Sequence, residues 1–323
     1  MLSACVNEED FPSTPEGNFE ALWSIIDQRY CFFDYKGETI GLDWDEVHSR
    51  YRQRISSDMS NAQLLEVLAE MLSELRDGHV NLYTSADVAR YWGWHEDYPK
   101  NWDQELRDRY LGTDYRIASG LKYRLLEDNI GYVVYESLAS PIGEGNISDM
   151  FYYLRSANGL ILDLRGNSGG QLNYAQRLAS HFTNEERLVG YTTYKTGPAH
   201  DAFAQLMEER LTPSDGVRWQ KPVVVLQNRE CYSAANVLVR DLRQCPLVTT
   251  LGDQTGGGSG MPFSSELPNG WSVRYSASPS FDAQGGQIEF GIEPDIPCAL
   301  DSADVARGHD TLIEQARKLL SNP

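Results

Sequence analysis

The sequence predicts an α/β protein in which a small helical N-terminal domain precedes an α/β core domain. Two patterns carry this expectation. Between residue 15 and about residue 76, apolar residues recur at helical spacing. From residue 128 onward, short continuous apolar runs of the kind buried strands show alternate with helical segments, which argues for a layered α/β architecture.

Taken in order, residues 1–14 read as a flexible tether, with the acidic run Glu8-Glu9-Asp10 and Pro12-Ser13-Thr14-Pro15. At its start Leu2-Ser3-Ala4-Cys5 looks like a bacterial lipobox, although the charged and apolar regions of a signal peptide do not precede it. That match predicts a lipid anchor at Cys5 and a place in a bacterial cell envelope. Residues 15–85 form the helical domain. Phe19, Leu22, Trp23, Ile26 and Tyr30 mark a first helix. Leu64, Leu65, Leu68, Met71, Leu72 and Leu75 mark another, with Asn61 as its expected cap. Residues 86–127, rich in Trp, Tyr and charge, connect the domains, and no element is assigned to them; His95 within them reads as structural or solvated. Residues 128–323 form the core. Its strands are Ile130–Tyr135, Leu160–Leu164 and Val223–Leu226, and its helices lie at about 171–183, 233–243 and 309–320. Asn269-Gly270 between two strand-like runs predicts a hairpin.

Composition excludes several functions. The chain carries 28 Lys+Arg against 47 Asp+Glu, a net charge of −19, and has no basic cluster, so neither nucleic acid nor an anionic membrane surface is an expected partner. No segment approaches the roughly 20 apolar residues of a membrane helix. The five cysteines include no C-x-x-C pair, so no zinc or redox motif is indicated, and the thiols read as buried and unpaired.

Three stretches carry chemistry. Ser233 follows a buried strand and a loop and opens a helix, where backbone N–H groups and the helix dipole can stabilise an oxyanion; the bland alternative is an ordinary helix cap. Asp163-Leu164-Arg165-Gly166-Asn167-Ser168-Gly169-Gly170 leaves a strand and enters a helix, with glycines that permit close backbone approach but neither a dinucleotide nor a P-loop spacing. Asp77-Gly78-His79 lies just past a helix end, where His79 is a surface residue or a general base.

Together these stretches resemble the tricorn and C-terminal-processing serine peptidase family, over about residues 70–83 and 128–300. The D-G-H turn, the D-L-R-x-N-x-G-G loop, the serine in Ser233-Ala234-Ala235 and the closing Gly291-Ile292-Glu293-Pro294-Asp295 occur in the family's order. The resemblance implies a crotonase/ClpP-like core and a serine endopeptidase acting on a peptide or protein substrate. It implies Ser233 as nucleophile, and Ala234 with Gly169 or Gly170 as the oxyanion hole, without metal or cofactor. The branch that uses a Ser-Lys dyad has lysine where this chain has Gly258, and no lysine occurs between Lys221 and Lys318. The tricorn-like branch remains, with His79 as base and a supporting glutamate, Glu289 or its competitor Glu293; Gly78 stands where that branch has a serine. About 50 residues separate His79 from Ile130, against the roughly 80–90 of a PDZ domain, so none is expected there. Two other readings are a non-catalytic relative that binds apolar ligands or peptides, as in interphotoreceptor retinoid-binding protein, and a crotonase-like acyl-CoA enzyme. Intact Ser233 and His79 argue against the first, and the D-G-H turn is unexplained by the second.

Overall fold

A computed structural model describes residues 11–321; the Leu2–Cys5 motif and the acidic run after it lie outside the described residues. The chain divides into two compact units.

The first unit contains the residues up to Trp92 together with Thr193–Gln205 and Gly260–Pro279. Its helices are Pro15–Arg29, Phe33–Ile40, Trp44–Arg52 and Asn61–Ser73. Thr14 caps the first by accepting from Gly17 N at 3.1 Å, with Pro15 in the first turn, where a missing N–H costs nothing. Asn61 is not the cap of the last of these helices. Ser60 is, in a capping box with Gln63: its hydroxyl accepts from Gln63 N at 3.3 Å, and Gln63 Oε1 reaches back to accept from Ser60 N at 3.0 Å, whereas Asn61 lies one residue inside the helix. Phe19, Leu22, Ile26, Leu64, Leu68 and Met71 are buried together. They pack with an antiparallel sheet in the order Val88–Arg90, Asn81–Tyr83, Ser272–Phe281, Gly260–Glu266, the third strand belonging to this unit up to Pro279. The Asn269-Gly270 hairpin forms as the dipeptide predicts, with Gly270 at φ 81° and Leu267 N donating to Trp271 O at 2.8 Å. It belongs to this unit rather than to the core domain in which its sequence position placed it. The N-terminal part is therefore helical with a sheet borrowed from later chain.

The second unit holds a seven-stranded sheet. Its order is Ile296–Pro297, Val248–Gly252, Val223–Gln227, Gly159–Asp163, Ile130–Tyr135, Leu121–Leu125, Arg116–Ala118. The first five strands are parallel, and the last two run antiparallel at one edge. Much of the stretch the sequence left unassigned is thus ordered: it supplies those edge strands and the helices Gly93–Glu96 and Gln104–Leu111. Alternate residues of the central strands face opposite sides. Val133, Leu162 and Val225 pack with the helices Glu144–Leu154, Leu172–Ala179 and Ala234–Leu242, whereas Tyr132, Ile161 and Val224 pack with Thr311–Ser321. Burial on both faces explains why these strands read as unbroken apolar runs. Asp163 pairs with Leu226 in parallel register, so the loops that follow the strands ending at Asp163 and Gln227 emerge at the same end of the sheet. A further hairpin, Arg187–Thr192 with Met207–Leu211, has no counterpart in the sequence reading.

Candidate active site

Ser233 sits between its strand and the helix Ala234–Leu242 with φ 57° and ψ −123°. That conformation is sparsely populated for a residue with a side chain, and it persists only where its surroundings over-determine it. The hydroxyl makes no capping bond, so the ordinary-cap reading of this serine fails. The turn is held from outside: Ser233 N donates to Gly257 O at 2.8 Å, Tyr232 N to Asn167 O at 3.2 Å, and Gly256 N to Cys231 O at 2.9 Å. A strained turn that presents a serine at the mouth of a helix is the geometry of a nucleophile elbow.

The glycine loop approaches this turn closely. A Cβ on Gly169, at φ 96°, would lie 2.9 Å from Ala234 N and 2.6 Å from Tyr232 O, so only glycine fits. The Gly169 N–H is already given to Asn167 Oδ1 at 3.0 Å. Among the described residues, the N–H groups of Gly170 and Ala234 have no acceptor. Asn167 organises the loop: it is fully buried, its Oδ1 also accepts from Leu138 N at 3.3 Å, and its Nδ2 donates to Tyr135 O at 2.8 Å.

Asp163 and Arg165 of the same motif have a structural part that the sequence did not reveal. Arg165 is fully buried between Asp163, at 2.7 Å, and Asp310, at 2.9 Å. Asp310 in turn caps Thr311–Ser321 by accepting from Leu312 N and Ile313 N. The charges therefore fasten the glycine loop to the last helix. Nothing in the sequence marks Asp310, which lies 145 residues away.

Glu289 is 3 % exposed, and its Oε2 accepts from Ser259 N at 2.9 Å and from the Ser259 hydroxyl at 3.4 Å. Its backbone carbonyl accepts from Gly258 N at 2.9 Å, which ties it to the segment that holds the Ser233 turn. Glu293 is exposed to solvent. Ser259 is a residue that sequence reasoning missed.

His79 belongs to the first unit and is buried. Its backbone N–H donates to Asp77 Oδ1 at 2.7 Å, and its backbone carbonyl accepts from Asn81 Nδ2 at 2.9 Å. Asp77 Oδ2 accepts from Tyr30 and Ser276 hydroxyls at 2.9 and 2.8 Å, with Lys36 Nζ 3.8 Å away. The aspartate of the D-G-H turn thus pins the turn rather than standing free for chemistry. Burial works to raise the Asp77 carboxyl, but Lys36 and His79 outweigh it and hold it below the usual range. Burial pushes the His79 imidazole down to about 4, against the pull of Asp77. His79 is therefore neutral near pH 7, the state in which an imidazole accepts a proton. Among the described residues no group of His, Cys, Asp and Glu is arranged to hold a metal ion.

Comparison with known proteins gives a consistent picture. Residues 129–298 match the profile of peptidase family S41, and residues 11–73 match that of the tricorn protease C1 domain. The carboxy-terminal processing protease CtpA of Bacillus subtilis (strain 168) is 28 % identical over 177 residues, which is 54 % of this chain and 36 % of that protein. The chain thus spans about a third of the length of that curated relative. A candidate peptidase from Parabacteroides merdae ATCC 43184, known by crystal structure, is 50 % identical. The likeness covers 95 % of this chain and 97 % of that one, with a TM-score of 0.91. Mature CPAF, solved with lactacystin, shares the fold at 12 % identity over 95 % of this chain and 97 % of its own, with a TM-score of 0.72.

Proposed function

The chain belongs to peptidase family S41, and from that premise we propose that it is a serine endopeptidase with Ser233 as nucleophile, His79 as general base and Glu289 as the supporting carboxylate. His79 takes the Ser233 proton as the hydroxyl oxygen attacks a peptide carbonyl carbon. The resulting oxyanion is held by the N–H groups of Ala234 and Gly170; Gly169 contributes close approach rather than its own N–H, which Asn167 occupies. His79 then protonates the leaving amine, and water, deprotonated by the same imidazole, hydrolyses the acyl-enzyme. The buried Glu289 carboxylate, fixed by Ser259, suits the role of orienting an imidazole better than exposed Glu293 does.

The observation that carries this reading is the strained Ser233 turn, whose hydroxyl is not spent on a cap and whose neighbouring N–H groups are open. Fold economy alone gives no reason to keep such a conformation. The lysine base of the other branch is disfavoured on geometry as well as sequence. A Cβ at Gly258, at φ 73°, would lie 2.3 Å from the Tyr232 ring. The test is covalent labelling by a fluorophosphonate. Wild-type protein is expected to label, Ser233→Ala not to label, and His79→Ala to label at least a hundredfold more slowly, within the range general-base removal produces. Equal labelling of wild type and Ser233→Ala would overturn the proposal.

The proposed substrate is a peptide or protein, and the Leu2–Cys5 motif supports a lipid-anchored protein of a bacterial envelope. For the anchor, the full-length gene product should partition with membranes and Cys5→Ala should not; equal partitioning of both would remove that reading.

A further inference from the structure

Backbone bonds to Asn167 and to the segment Gly256–Gly258 hold the Ser233 turn, and side chains pack on it as well. The Tyr232 ring lies against the backbone of Gly258, where a Cβ would come within 2.3 Å of its Cζ. The ring also stacks on the Trp94 indole, with centroids 4.0 Å apart and planes 29° from parallel. Trp94 also covers Gly256, whose Cβ would lie 2.7 Å from the indole Cε3. One indole thus touches Tyr232, one partner of the Tyr232–Gly257 bridge beside Ser233, and Gly256, the residue before the other partner.

The chain around Trp94 is fastened to the same loops. Tyr98 lies under the Arg229 guanidinium at 3.6 Å, Lys100 O accepts from Asn228 Nδ2 at 3.1 Å, and Trp102 packs where a Cβ on Gly166 would fall. Residues 94–102 therefore run as a strap along the loop before Ser233 and reach the start of the glycine loop. A serine at φ 57° relaxes toward an ordinary conformation unless the residue before it is fixed, and the tyrosine is what this strap fixes.

We propose that Trp94 is a positioning residue for the nucleophile: by stacking on the Tyr232 ring, which lies against Gly258, it holds Ser233 in its reactive conformation. This rests on Ser233 being the nucleophile. Trp94 touches the ring of Tyr232 rather than the reacting atoms, so it acts on the rate of acylation more than on substrate affinity. An aromatic side chain is what the stack requires, so phenylalanine keeps the effect and alanine does not.

The experiment measures fluorophosphonate labelling rates and peptide kcat and KM for wild type, Trp94→Ala, Trp94→Phe and Ser233→Ala, with circular dichroism of each. Trp94→Ala is expected to label roughly tenfold more slowly, with kcat lowered and KM within about twofold; Trp94→Phe is expected to recover most of the rate. Wild-type labelling by Trp94→Ala, or a rise in KM with kcat unchanged, would overturn the proposal. Should Trp94→Ala not fold, Trp94→Phe and Trp94→Leu decide it, since equal rates in those two would show that stacking is irrelevant. Labelling that survives Ser233→Ala marks failure of the nucleophile assignment instead, whatever the Trp94 variants do.

Discussion

Replacing Ser233, the proposed nucleophile, by glycine should relieve the backbone strain that alanine at the same position keeps. The serine is held at φ 57° and ψ −123°, a conformation that costs an L-residue on the order of 1–3 kcal/mol. Glycine adopts it without a Cβ clash but loses roughly 0.5–1 kcal/mol more backbone entropy on folding. No cap is lost, because the hydroxyl makes no capping bond. The balance favours Ser233→Gly over Ser233→Ala by about 1 kcal/mol, since alanine keeps the Cβ and with it the strain. Urea denaturation of the two variants is the assay, and neither can form an acyl-enzyme, so self-cleavage does not distort the comparison. Ser233→Gly no more stable than Ser233→Ala would mean that the turn stores no strain, and the elbow argument would go with it.

Other outcomes follow from single residues. The unfolded chain protonates His79 near 6.5 but the folded chain only near 4, so the stability it contributes is complete above pH 6.5 and is lost as pH falls toward 4, by up to about 3 kcal/mol. Denaturation of His79→Gln across that window should show a correspondingly shallower decline, and an equal decline would refute the shift. With His79 as base, the acid limb of kcat/KM should lie near 4, and a limb at 6.5 would mean that the imidazole is not buried in the working enzyme. Asp310→Ala removes a carboxylate that holds buried Arg165 at 2.9 Å and caps the last helix, at a cost of about 3–5 kcal/mol. A loss under 1 kcal/mol in urea denaturation would show that Asp163 alone satisfies the arginine. Glu289→Gln should slow turnover less than His79→Ala does, because an orienting carboxylate exchanges no proton; the reverse order in peptide kcat would reassign the base.

The family was legible in the sequence because the strings that carry it, which also make up the candidate site, are local. The D-L-R-G-N-S-G-G loop, the Ser233-Ala234-Ala235 turn and the D-G-H turn are contiguous strings, and their order along the chain is enough to resemble a family. The strands Ile130–Tyr135 and Val223–Gln227 were legible for a similar reason: burial on both faces leaves an apolar run that no amphipathic pattern interrupts. The stretch 86–127 was not, since its edge strands Arg116–Ala118 and Leu121–Leu125 are short and partly exposed, and Trp94, Tyr98 and Trp102 carry no periodic signal.

The sequence by itself determined which residues are chemically able to act, because a hydroxyl, an imidazole and a run of glycines are properties of residue type. What only the tertiary structure decided is which of their groups are already engaged. Asn167 occupies the Gly169 N–H, Asp163 and Arg165 are bound to Asp310, and Asp77 is held by Tyr30 and Ser276. Those partners lie 2 residues away in one case and 145 or 199 in others, and they meet because the sheet register and packing bring them within hydrogen-bond distance. The strain at Ser233 has the same origin: no residue type encodes φ 57°, and only the surrounding structure can impose it on a serine.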